Sequence, residues 1–291
     1  MKVSLGIFAY NEEKNIANLL EAVLGQKLSE VELEEIIVVA SGCTDKTVEI
    51  SQSFSVKDSR IRVLVQEKRE GKFSAINLFL KTAKNEILAI ESADTLPSKD
   101  ALERLIKPFE DPLVGMAGAR PMPTNNESSF WGFASHFLWE LHHQLSLAEP
   151  KMGELVAFRK VFDKIPATAV DEAMIEAIVS SAGFKVVYAP DAIVYNKGPE
   201  NLSDFLKQRR RNFCGHLALR KQLGHKVSTM DWQKILSLVF KNLKPNIRFL
   251  AFVFLIVFLE VLARFLGWFD YCLGRNHYIW QSIESGKNPQ I

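Results

Sequence analysis

The sequence predicts an α/β fold with a mostly parallel sheet flanked by helices, and three observations carry that prediction. Apolar runs of strand length alternate with stretches of helical spacing through the first hundred residues. The runs end in small, hydroxyl, amide or charged residues, at the strand ends where open α/β sheets bind their ligands. The fourth run is the most telling, because Ile87-Leu88-Ala89-Ile90 stops abruptly at Glu91-Ser92-Ala93-Asp94-Thr95, with Pro97 just beyond. Carboxylates at a strand end can hold a hard metal ion. They can equally solvate the strand end and cap a helix starting near Lys99 and Asp100.

Taken in order, Val3 to Phe8 reads as a buried strand leading into Ala9-Tyr10-Asn11-Glu12-Glu13. Met1-Lys2 runs straight into it, so no leader segment is expected. Ile16, Leu19, Leu20, Val23 and Leu24 fall at helical spacing up to Gly25. Glu35 to Ala40 is the second strand, followed by Ser41-Gly42-Cys43-Thr44-Asp45 and another helix. Arg62 to Gln66 is the third strand, and Gly71-Lys72 opens a helix through Asn77. This alternation implies right-handed crossovers between parallel strands. Ala101 to Phe109 is an amphipathic helix, and Leu113 to Arg120 continues in small residues.

Composition narrows the classes. Apolar residues make up 47% of the 291, enough for a sizeable core and against disorder. A formal net charge of +2 gives no argument for nucleic acid as a partner. Cys43, Cys214 and Cys272 lie far apart, which argues against a zinc site or disulfide framework and for a reducing compartment.

The motifs, in their order, resemble family 2 glycosyltransferases of the GT-A fold, which use nucleotide-sugar donors. Phe8-Ala9-Tyr10-Asn11-Glu12-Glu13-Lys14-Asn15-Ile16 is similar to the family's P-x-Y-N-E-E-x-x-I opening, with Ala9 in the proline's place. Val38 to Thr47 resembles its V-V-D-D-G-S-T-D-G-T turn, with Ala40 and Ser41 replacing the acidic pair. Gly71-Lys72-Phe73-Ser74-Ala75-Ile76-Asn77 matches G-K-x-x-A-L-N, and Ser92-Ala93-Asp94-Thr95 aligns with the D-A-D-T metal motif. The resemblance implies donor contacts from Ala9, Tyr10, Glu12, Ser41, Lys72, Ser92 and Ala93. It implies Mg²⁺ or Mn²⁺ on Asp94, with Glu91 or Ser92 assisting through water. Ser92 stands where the family's first aspartate would be, but a diphosphate and water can supply the remaining oxygens. The alternative is a non-catalytic nucleotide-sugar-binding or scaffold protein at the membrane. A nucleotidyltransferase would carry a Gly-rich activating loop after the first strand, and none is present.

The second half carries further matches. Gly153 to Arg159 resembles the family's S-G-x-x-x-A-F-R strand beside the sugar, where Glu154 or Arg159 could touch the donor. Asp171-Glu172, ahead of Gly183-Phe184-Lys185-Val186, falls where the family has an E-D pair, one member of which is the general base. Glu172 takes the base position by spacing, with Asp171 second. An acid pair at a helix start also suits the helix dipole. Pro190-Asp191-Ala192 and Gly198-Pro199-Glu200 are expected to end a strand pair. Gln208-Arg209-Arg210-Arg211-Asn212 resembles Q-x-x-R-W; on a helix, Gln208, Arg211 and Asn212 share a face. Gln208 and Arg211 are expected to point inward to the diphosphate or acceptor, and Arg209 and Arg210 outward to anionic headgroups. Between these motifs, Ser129 to Leu147 is rich in Phe, Trp and His, read as an apolar wall near an acceptor or the membrane. Vicinal His142 and His143 would point apart on a helix.

Phe249 to Leu259 is uninterruptedly apolar and continues to Phe269, long enough to span a bilayer, with Glu260 and Arg264 spaced to neutralise each other. Lys241, Lys244 and Arg248 precede it, as on a cytoplasmic flank, and Ile235, Leu236, Leu238, Val239 and Phe240 suggest an interfacial helix. A soluble helical hairpin or a dimer interface would read similarly. The expected organisation is a GT-A domain over 1–225, with a nucleotide half (1–97) and an acceptor half (98–225), followed by membrane-associated helices over 226–291. The expected chemistry is inverting, metal-assisted sugar transfer to a hydroxyl of a glycan or lipid-linked acceptor, at the cell membrane with the catalytic domain facing the cytoplasm.

Overall fold

Four of the predicted runs become neighbouring parallel strands: β1 (Lys2–Ala9), β2 (Glu32–Ser41), β3 (Ile61–Gln66) and β4 (Ile87–Ser92). The computed structural model describes residues 1–280, 283–287 and 289. Ala9 pairs with Ala40, and Phe8 with Ser92, so β1, β2 and β4 end level with one another. That shared edge is where the polar turns gather. Helix α1 (Ile16–Leu24) buries Ile16, Leu19, Leu20 and Val23 on one sheet face together with Phe54 of α2 (Thr47–Lys57). Helix α3 (Lys72–Thr82) covers the other face with Ile76, Phe79 and Leu80. Gly6 is required by that packing, because a Cβ there would come within 2.9 Å of the Phe79 ring.

Beyond Asp94 the sheet changes direction. β5 (Leu96–Pro97) and α4 (Ala101–Ile106) lead through a 3₁₀ turn to β6 (Val114–Pro123). After α5 (Phe130–Ala148), β7 (Val156–Arg159) inserts antiparallel between β4 and β6. Helix α6 (Asp171–Ser181), β8 (Lys185–Asn196) and α7 (Leu202–Leu223) complete this half, and the sheet order is β3-β2-β1-β4-β7-β6-β8-β5. The sheet is therefore mostly parallel and mixed at its centre. Pro190-Asp191-Ala192 does not end a strand: these residues stand unpaired between Ala189 and Ile193, and β8 runs on beside β6 to Asn196. Arg159 serves the fold, since its guanidinium donates to the carbonyls of Val114 and Phe109 at 2.9 Å.

Two helices close the chain, α8 (Trp232–Lys241) and α9 (Ile247–Cys272). The aromatic face of α5 packs on α9, with Phe133 edge-on to Phe249 and Phe130 edge-on to Phe252. The two histidines of α5 do diverge: His142 is buried, and the His143 ring lies 2.9 Å from the Tyr188 hydroxyl. Arg209 and Arg210 of α7 are not free to lie on headgroups. Arg209 pairs with Glu260 at 2.8 Å and Arg210 with buried Asp270, both on α9. Glu260 thus answers Arg209 first and Arg264, at 3.7 Å, second. With one side tied to α5 and α7, α9 presents Ile247, Phe254, Phe258, Val261, Phe265 and Trp268 as a single exposed apolar stripe. It is also the one helix among the described residues long and apolar enough to cross a membrane.

Candidate active site

The level ends of β1, β2 and β4 form the floor of a cavity of about 670 Å³, roofed by α6, α7 and the chain after α9. Ala9, Tyr10, Glu12, Ser41, Lys72, Ser92, Ala93, Asp94, Glu172, Gln208 and Arg211 all line it, whereas Asp171 does not. Residues separated by more than a hundred positions are thus brought together by the parallel register of the first half and the α6 start of the second.

Local chemistry explains how the turns hold their shape. Asn11 adopts the left-handed conformation (φ 52°), and its side-chain oxygen accepts from the Thr44 amide at 2.8 Å, locking the turn after β1 to the turn after β2. The Cys43 thiol donates to the Ala9 carbonyl across the same junction. Glu154 is the other non-glycine described residue with positive φ (52°), and its carboxylate accepts from Asn196 at 3.0 Å inside the cavity. Strain of this kind gathers at working sites. On the outer side, the Arg69 guanidinium stacks 3.6 Å from the Tyr10 ring centroid, forming a flat cationic wall.

Lys72 is the pivot of the site. Its ammonium donates to the Ser92 hydroxyl at 3.0 Å and to Glu172 at 2.7 Å. The lysine holds the Glu172 carboxyl below its ordinary range against the opposing effect of burial. Asp171 is fully buried with neither oxygen hydrogen-bonded, and burial pushes it up to about 7. The pair is thereby divided: Glu172 is ionised and faces the cavity, and Asp171 stands behind it. Burial and the neighbouring Asp94 raise both Glu12 and Glu154 to about 7. Arg211 is lowered to about 10 by burial.

Asp94 fits a hard cation in one particular way. It lines the cavity, burial raises its pKa, and no side chain among the described residues donates to its carboxylate. No group of three or more His, Cys, Asp or Glu positioned to hold a metal occurs among those residues. An ion here would take one protein carboxylate and draw its other oxygens from phosphate and water, the arrangement Mg²⁺ and Mn²⁺ favour. Glu91 cannot assist, because it is buried under the strand end with the Thr95 hydroxyl bonded to it at 2.9 Å, and it does not reach the cavity. The Ser92 hydroxyl is engaged by Lys72.

The chain after α9 supplies the part that sequence reasoning missed. Trp280 lies over Arg211, with the guanidinium 3.8 Å from its ring centroid, and Arg69 donates to the Trp280 carbonyl. Lys287 donates to the Asn11 carbonyl at 2.7 Å and pairs with Glu12 at 3.4 Å. Trp280 and Lys287 themselves are the signal the sequence offered there. Lys151, His142 and His216 also line the cavity and belong to none of the motifs.

Comparison with known proteins agrees with this geometry. Residues 4–176 match the family model for glycosyl transferase family 2. Poly-beta-1,6-N-acetyl-D-glucosamine synthase of Staphylococcus aureus is 28% identical over 236 residues, covering 77% of this chain and 54% of that protein. The chain therefore spans about half the length of the curated relatives it matches. Among solved structures, a mannosyltransferase from Pyrobaculum calidifontis in complex with GDP-Man and Mn²⁺ superimposes with a TM-score of 0.69 at 18% identity, over 94% of this chain and 88% of that one. Staphylococcus aureus TarS 1-349 with UDP-GlcNAc gives 0.54 at 15% identity, over 94% and 93%. These likenesses establish the GT-A fold.

Proposed function

Because the chain belongs to glycosyl transferase family 2, we propose that it transfers a sugar from a nucleotide-diphosphate sugar to an acceptor hydroxyl, with inversion at the anomeric carbon. The observation that carries this reading is that Glu172, kept ionised by Lys72, faces the same cavity as Asp94. A scaffold would have no need of a carboxylate held ready in this way. The relatives are named as a synthase and a mannosyltransferase and lend nothing to the non-catalytic alternative.

The nucleotide lies over the ends of β1 and β2, against Tyr10, Arg69 and Ser41, with Ala9 and Ala93 giving close backbone approach. Its diphosphate meets Lys72, Arg211 and Lys287, and Gln208 completes the wall near the reacting carbon. Asp94 would hold Mg²⁺ or Mn²⁺, which when bound would supply neutralisation of charge on the departing diphosphate. Glu172 takes the acceptor's proton as its oxygen bonds to the anomeric carbon, and the nucleoside diphosphate leaves from the opposite face. Asp171, whose pKa burial raises to about 7, sets less negative charge beside the base than an exposed aspartate would. In this reading residues 1–97 bind the donor, 98–225 carry the acceptor side, and α8 and α9 serve the membrane, while the chain beyond them returns to the donor site through Trp280 and Lys287.

We read the membrane contact as in-plane and not as a crossing. A lone crossing helix would have lipid around it, whereas α9 keeps one side on α5 and α7 through aromatic contacts and ion pairs. The exposed stripe would sink into the bilayer surface, with Lys241, Lys244 and Arg248 at the headgroups on the cytoplasmic side. The test of function is donor hydrolysis and binding by the purified protein across a panel of nucleotide sugars, with and without Mn²⁺. Metal-dependent turnover of one donor is expected, while binding with no turnover under any condition would favour the scaffold.

A further inference from the structure

The strand-end motif offers a cation one carboxylate, that of Asp94, and the cavity holds a second that the motif does not contain. Among the described residues, the carboxylates lining the cavity are Glu12, Asp94, Glu154, Glu172 and Glu260. Three of these are engaged. Glu172 accepts from Lys72 at 2.7 Å, and Glu260 pairs with Arg209 at 2.8 Å. Glu12 accepts from Asn15 at 2.6 Å and pairs with Lys287 at 3.4 Å. Ser92, in the place of the motif's first aspartate, holds Lys72 at 3.0 Å. Asp94 and Glu154 remain.

The fold sets Glu154 where the missing carboxylate would be useful. β7 pairs antiparallel with β4, and Ile90 faces Val156. Two residues further along each, Ser92 and Glu154 come level. Glu154 adopts the left-handed conformation (φ 52°), a local cost that persists where the surroundings enforce it. Its Oε1 accepts from the Asn196 amide at 3.0 Å, and among the described residues its Oε2 has no hydrogen-bond partner. Asn196 lines the same cavity at 6% exposure, and its own Oδ1 is buried without a hydrogen bond. A carboxylate kept for the fold has both oxygens bound, as those of Glu103 are by the Ser29, Glu30 and Val31 segment. Unpaired carboxylate and amide oxygens are what a hard divalent cation collects. The Asp94 charge also reaches Glu154, since burial first and Asp94 next raise its pKa. Repulsion of this kind is relieved by a cation between the two groups.

We infer that Glu154 is the second protein carboxylate of the divalent-cation site, acting with Asp94 and held in place by Asn196. This rests on the sugar-transfer reading above and adds to it the residue that stands in for the aspartate replaced by Ser92. The ligand has moved from the end of β4 to the start of the strand beside it, and Ser92 is left to position Lys72.

The test is equilibrium binding of UDP, GDP, ADP, CDP and dTDP to the full chain, in EDTA and in Mn²⁺, with bound Mn²⁺ counted by electron paramagnetic resonance. In Glu154→Gln, Mn²⁺ held with the tightest of these nucleotides is expected to bind about tenfold to a hundredfold more weakly. Binding of that nucleotide in EDTA is expected to hold or to tighten, because a negative charge facing the cavity is gone. Glu12→Gln removes a neighbouring charge whose oxygens are already engaged, and is expected to weaken Mn²⁺ by no more than about threefold. Mn²⁺ affinity unchanged in Glu154→Gln, or lowered equally by the two substitutions, would overturn the inference. So would a wild type that binds nucleotide but no Mn²⁺. Nucleotide binding that Glu154→Gln weakens as much in EDTA as in Mn²⁺ would also overturn it, as the mark of a donor contact or a fold residue. Each of these results, with nucleotide binding intact in the wild type, leaves the transferase standing. Failure of the wild type to bind any of the five overturns the transferase reading and the inference with it.

Discussion

The strand-end region and the C-terminal helix use charge in opposite ways. Along α9, Glu260 and Asp270 are taken up by Arg209, Arg264 and Arg210, and the result is a fixed element. At the strand ends, no side chain among the described residues donates to Asp94; Glu12 and Glu154 are pushed up to about 7, and Arg211 is pushed down. Groups kept out of their ordinary charge states by burial are expensive to hold, and they persist where a ligand will compensate them. Paired charges mark what the molecule holds together, and frustrated ones mark where it works.

That contrast can be broken from either side. The largest effect is expected from Asp94→Ala, which should reduce metal-dependent transfer roughly a thousandfold while leaving the thermal transition of the apo protein near that of wild type. Turnover that persisted at the wild-type rate would remove Asp94 from the site. Lys72→Met comes next. Loss of the ammonium should lower transfer roughly a hundredfold and let the Glu172 pKa rise, so the acid limb of the pH–rate profile moves to higher pH. An unmoved limb would mean that Glu172 is not the titrating base.

A smaller, purely structural effect separates Glu91 from the site. Burial raises Glu91 from 4.5 to about 8, so the folded state holds a proton that the unfolded chain has lost. Stability from this group is complete below about pH 4.5 and declines as pH rises to about 8, and Glu91→Gln should flatten that decline. Melting curves from pH 5 to 8.5 check the sign; an identical slope in the variant would contradict it. The mildest change is on α9, where Phe254→Ser with Phe258→Ser should weaken binding to anionic vesicles by roughly tenfold without altering donor binding. Vesicle binding that the pair leaves unchanged would place the membrane contact elsewhere.

The two regions also differed in how far the sequence revealed them. The strands of the N-terminal half were legible because a buried parallel strand is an uninterrupted apolar run, and its polar end is local in sequence. Phe8 to Glu13, Gly71-Lys72 and Ser92 to Asp94 therefore carried both the fold and the cavity floor. Asp171 and Glu172 were legible as a pair with Glu172 first by spacing, but which of them faces the cavity depends on how α6 starts against the sheet. The antiparallel insertion of β7 left no local trace, since four residues paired on both sides read alike in either direction. The roles of Arg209 and Arg210 were misjudged for the same reason: a basic cluster looks solvated until a helix fifty to sixty residues on supplies Glu260 and Asp270. Trp280, Lys287 and Lys151 reach the cavity through long-range packing that no spacing encodes.

The most direct test of the account compares donor binding with sugar transfer in Glu172→Gln. Donor binding should be retained or tightened, because Lys72 loses its carboxylate partner and is freed for the diphosphate, while transfer falls by roughly 10²–10⁴-fold, the range of a lost general base. Transfer at the wild-type rate by a variant that still binds donor would contradict the assignment of the base and the mechanism built on it.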